Sequence, residues 1–72
     1  MINEQITKIL HKGRCLDFKE NDKNEYYLQK YQGSIYIIVV EKEPVDEIKF
    51  CLAQDNFILS RDKIIRIFNE IE

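Results

Sequence analysis

Glycine and proline are nearly missing from this 72-residue chain, which has two Gly, at 13 and 33, and one Pro, at 44. That excludes a phosphate-cradling glycine loop, a collagen-like repeat and a flexible glycine-rich linker. Cysteine occurs twice, as Cys15 and Cys51, far apart and with no secretory signal pattern in "MINEQITKILHKG". Two such thiols do not make the disulfide framework of a small secreted domain, and we expect reduced cysteines and a cytoplasmic location. The longest apolar run is six residues, Ile35 to Val40, against roughly 18 needed to cross a bilayer. Neither sign of charge dominates: thirteen acidic and eleven basic residues give a net charge of −2. That is too little for a polyanion mimic and the wrong sign for a dedicated phosphate-backbone binder.

What is present is the composition of a folded module, 44% hydrophobic and 33% charged, with no linker or internal repeat. Residues 1–72 read as one domain. Ile, Lys, Glu and Asn are abundant and Ala53 is the single alanine, a bias resembling that of small proteins from low-GC bacteria and their prophages.

Periodicity orders the elements. Ile2, Ile6, Ile9 and Leu10 form one helical stripe, predicting a helix over residues 2 to 12 with Asn3 as a late cap and Gly13 as a left-handed terminator. "RCLDFKE" alternates, placing Leu16 and Phe18 opposite Cys15, Asp17 and Lys19, as in a half-buried strand. "NDKN" is a polar turn and "EYYLQKY" is rich in strand-favouring aromatics. Gln32-Gly33 is a two-residue hairpin signal. If Tyr31 pairs with Ser34, opposed residues sum to 65, so Leu28 meets Ile37 and Tyr27 meets Ile38. "EKEPVDE" interrupts the pattern, "IKFCLAQ" makes a fourth strand, and residues 54 to 59 carry Phe57 and Leu59 to the core. Ser60 caps a final helix with Ile64, Ile65, Phe68 and Ile71 on its buried stripe, and Leu59 is placed to staple against Ile64.

The order helix, four strands, helix with short connections predicts an α+β fold, a four-stranded antiparallel meander. Four strands span roughly 19 Å, and two helices about 10 Å wide lie side by side across that width. The expectation is therefore that both helices pack on one face, over Leu16, Phe18, Leu28, Ile37, Val39, Phe50 and Leu52. The other face, with Tyr27, Tyr31, Tyr36, Ile38, Val40 and Cys51, then lacks a cover within the chain. A contiguous apolar patch centred on tyrosines suits a protein interface, most simply one with a second copy.

No residue pattern points to catalysis. His11 with Cys15 falls short of the three or four ligands of a zinc site, and neither cysteine has an identifiable base, orienting group and oxyanion donor together. The carboxylate pairs Asp17 with Glu20, Glu41 with Glu43, and Asp46 with Glu47 read as solvated charge. Lys8, His11, Lys12 and Arg14 gather at the end of the first helix, and Arg61, Lys63 and Arg66 line the second. The sequence thus points to a non-catalytic interaction module without metal or cofactor. It is expected to be homodimeric or to bind another protein through a sheet face or edge, with no membrane association. The alternative is a nucleic-acid-associated regulator using the basic helix ends.

Overall fold

The computed structural model describes residues 3–43, 48–56 and 58–72. Expectations for Ile2, Phe57 and the 44–47 stretch, with its Asp46–Glu47 pair, lie outside the described residues, as does the side chain of Asn3. The chain runs α1 (Asn3–Lys12), β1 (Arg14–Glu20), β2 (Asn24–Tyr31), β3 (Ser34–Glu41), β4 (Ile48–Gln54) and α2 (Arg61–Glu70). The strands form one antiparallel sheet in the order β1-β2-β3-β4, the α-β-β-β-β-α layout read from the sequence. Among the described residues no helix is long and apolar enough to cross a membrane.

The β2–β3 hairpin has the register that its turn dictates. Gln32 and Gly33 both have positive φ, 50° and 82°, the backbone twist that joins two strands through two residues. Tyr31 pairs with Ser34, Leu28 with Ile37 and Tyr27 with Ile38. Asn21 shapes the preceding turn, its Oδ1 accepting from the backbone N–H groups of Lys23 and Asn24.

The helices do not share a face. Ile64 and Phe68 of α2 pack with Leu28, Ile35 and Ile37, whereas Ile6 and Ile9 of α1 pack with Ile38. Ile37 and Ile38 are adjacent in one strand and point to opposite sides, so α1 and α2 sandwich the sheet between them. This corrects the expectation of two helices on one face. The physical reason lies in β3, where Ile35, Ile37, Ile38, Val39 and Val40 are all at most 5% exposed. Placing one helix on each side removes both oily faces of the central strand from water, at the expense of leaving the outer strands half covered.

A second correction concerns β1. A bulge between Cys15 and Asp17 shifts the register, so that Phe18 pairs with Tyr27 and Lys19 with Tyr26. The extra residue inverts the alternation beyond it. Phe18 therefore stands on the α1 side, its ring 5.0 Å from that of Tyr27, and Lys19 points toward α2. Gly13 is not left-handed either. It is required by close approach, since a Cβ there would lie 2.3 Å from the carbonyl oxygen of Ile9 and 3.0 Å from that of Lys30.

Both ends of α2 are anchored. Ser60 caps the helix, its hydroxyl accepting from the N–H of Lys63 at 3.4 Å, and Arg61 reaches the carbonyl of Gly33 and the carboxylate of Asp55. At the far end the Lys19 ammonium donates to the carbonyls of Phe68, Asn69 and Ile71 at 2.8, 3.0 and 2.8 Å. A cation there meets the negative end of the helix dipole, and it shares the Phe68 carbonyl with the N–H of Ile71, the C-cap.

Candidate functional site

The six residues expected to form an open interface lie beneath α1. Ile38 and Val40 are 0% and 5% exposed. Tyr27, Tyr31, Tyr36 and Cys51 are half-buried and pack against the cluster built by Ile6, Ile9 and Ile38. The hairpin does bring them to one face, as its register required, but this face is covered from within the chain. A residue not singled out as part of a site holds the cover down: Gln29, 2% exposed, donates through Nε2 to the carbonyls of Ile9 and Leu10 at 3.0 and 3.4 Å. An amide at that position of an otherwise aromatic and apolar face satisfies the C-terminal carbonyls of α1. Its sequence signal was the polar residue between Leu28 and Tyr31 on the tyrosine side of the hairpin.

Two clefts open along α1. One, of about 250 Å³, is lined by Leu10, His11, Glu25, Tyr27, Val40 and Lys49. The Tyr27 hydroxyl donates to Glu25 Oε1 at 3.1 Å. Burial, and then this bond to a carboxylate, raise the phenol above its ordinary range. The other, of about 180 Å³, lies between Gln5, Lys8 and Ile9 of the helix and Tyr31, Gln32 and Tyr36 of the hairpin.

The thiols are engaged locally, each with the carbonyl two residues ahead: Cys15 Sγ with Asp17 O and Cys51 Sγ with Ala53 O, both at 3.3 Å. Burial pushes the Cys51 thiol up, away from the thiolate that nucleophilic chemistry uses. A group whose folded pKa is raised contributes its stability below the unfolded pKa and loses it as pH rises through the folded value. Cys51 and Tyr27 both shift in this direction. Denaturation midpoints should therefore be level from pH 7 to about pH 8.5 and fall at higher pH, with the ordinary thiol range setting the onset. Cys51→Ala should lessen the fall between about pH 9 and 10; an unaltered profile would exclude Cys51 as its source.

Among the described residues the exposed large apolar side chains are Ile58, 83% exposed just ahead of α2, Ile65 of α2, which at 38% corrects its place on the buried stripe, and two groups on the outer strands. On β1 these are Leu16 and Phe18, 42% and 43% exposed, and on β4 Ile48, Phe50 and Leu52, at 47%, 38% and 47%. The two edges differ in charge. Four of the seven residues of β1 are charged, Arg14, Asp17, Lys19 and Glu20, whereas β4 has Lys49 alone among seven. Charge and a bulge are what keep an edge strand from pairing with other chains. β4 has a bulge of its own, where the register shifts between Cys51 and Ala53, but little charge. Ile48 and Phe50 stand opposite Glu41 and Val39, outside the cluster that α2 covers. The alternation of "IKFCLAQ" was the signal for this row; assigning two helices to one face hid it by placing Phe50 and Leu52 beneath them.

No family model, curated protein or solved structure matches this chain.

Proposed function

We infer that the chain is a small interaction module that works without catalysis and takes a protein partner along the outer side of β4. The observation that supports this is the row Ile48, Phe50 and Leu52, which holds large apolar side chains in water on the last strand of the sheet. Apolar area of this kind on the last strand of a sheet is what strand addition uses: the main chain supplies affinity and alternate side chains supply selectivity. The nucleic-acid alternative draws less support. The basic residues of α1 and those of α2 lie on opposite faces of the sheet, and Arg61 is already bonded to Gly33 and Asp55.

The experiment is a lysate capture with the wild type and Phe50→Lys, each repeated after nuclease treatment. A protein retained by the wild type through nuclease and lost with Phe50→Lys is the expected result. Retention that Phe50→Lys leaves unchanged, or that nuclease abolishes, would overturn the reading.

A further inference from the structure

We propose that the partner on β4 is a second copy of this chain, paired antiparallel about a two-fold axis at Phe50 so that two four-stranded sheets join into one of eight. The proposal rests on the reading of β4 as the contact surface and specifies its occupant. A strand that pairs with itself about a two-fold axis opposes residues whose numbers have a constant sum. With the axis at Phe50 that sum is 100. Phe50 then meets Phe50 of the second copy, Ile48 meets Leu52, and Lys49 meets Cys51.

Every large exposed apolar residue of β4 thereby faces another, and the one cation of the strand faces a neutral thiol. Moving the axis to Lys49 would set two ammonium groups against each other, which is unfavourable for directly opposed residues. Moving it to Cys51 would leave Ile48 facing Gln54. On β1 an axis at Asp17 opposes two carboxylates, one at Phe18 sets Leu16 against Glu20, and one at Leu16 sets Phe18 against Arg14. Self-complementarity therefore favours β4 over β1, and Phe50 over its neighbours.

A ladder of five residues a side covers less than the roughly 800 Å² per partner of a standard interface. An interface of that size falls at the weak end of specific association. Sedimentation equilibrium from about 1 μM to about 1 mM should show the mass of the wild type doubling. Phe50→Lys should stay monomeric over the same range, or weaken dimerisation by more than about tenfold, while Phe18→Lys on β1 should dimerise as the wild type does.

The register has its own test. In a Cys15→Ser background, mild oxidation should leave Cys51 uncrosslinked, and adding Lys49→Cys should give a disulfide-linked dimer with Cys51 of the other copy. Crosslinking of Cys51 without the second substitution would overturn the axis at Phe50. A wild type that is monomeric at about 1 mM would overturn the second copy as partner. If lysate capture still depended on Phe50 in that case, β4 would stand as the contact surface for a different protein. If Phe18→Lys abolished the dimer and Phe50→Lys did not, both the proposal and the reading of β4 would fall.

Discussion

Ile38→Lys is expected to abolish folding. The side chain is 0% exposed and sits against Ile6 and Ile9 of α1, so the substitution forfeits about 2 to 3 kcal/mol of apolar burial. It also puts an ammonium into a cluster of Ile6, Ile9 and half-buried tyrosines, which costs several kcal/mol more. A chain of this length has a total stability of roughly 4 to 11 kcal/mol, and the two losses together take most or all of it. Far-ultraviolet circular dichroism at about 20 °C should show loss of the native spectrum. Ile38→Val, which removes one methylene, should cost only about 0.5 to 1.5 kcal/mol and remain folded. A folded Ile38→Lys with the wild-type melting temperature would mean that α1 does not lie on this face.

Lys19→Met should come next in severity. Methionine keeps an unbranched apolar stem but removes the ammonium that donates to three carbonyls at the end of α2 and lies 5.2 Å from the centroid of the Phe68 ring. Those carbonyls lie at a helix end where water replaces part of the lost bonding, so the three bonds do not add in full. A charge-assisted set of this kind, together with the helix dipole, is worth about 2 to 3 kcal/mol. For a domain of this size that corresponds to a fall in melting temperature of about 10 to 20 °C. Amide exchange should report the same event locally, with protection lost first around Phe68. A melting temperature within about 3 °C of the wild type would show that the contact is incidental.

Much of the fold was legible because its local signals are strong. The Gln32-Gly33 turn set the β2–β3 register, and through it the pairing of Leu28 with Ile37 and of Tyr27 with Ile38. Ser60 was legible as a cap because a hydroxyl before a helical stripe has one specific use there. The side of the sheet that α1 takes was not legible. A helical stripe tells which side of the helix is buried and carries no information about which face of the sheet receives it.

The six-residue apolar run was the relevant clue, since a strand that is oily on both faces calls for two covers. Counting widths favoured placing the two helices side by side; burying both faces of β3 favoured one on each side. Phe18 was missed for a different reason. One extra residue between Cys15 and Asp17 reverses the alternation, and a bulge of this kind has no fixed residue signature when glycine is not used. With α1 over the tyrosine face, β4 is left with exposed apolar side chains and little charge.

The Lys19 contact also bears on the order of events in time. Each strand of the meander pairs with its neighbour along the chain, so the ladders close through short turns and cost little loop entropy. The bonds from Lys19 to Phe68, Asn69 and Ile71 join positions 49, 50 and 52 residues apart, and the sheet and α2 must already exist before they can form. We expect them to form after the rate-limiting barrier. A change at Lys19 should therefore leave the folding rate nearly unaltered and speed unfolding, so that losing one ammonium at the end of one helix shortens the protein's lifetime in the native state.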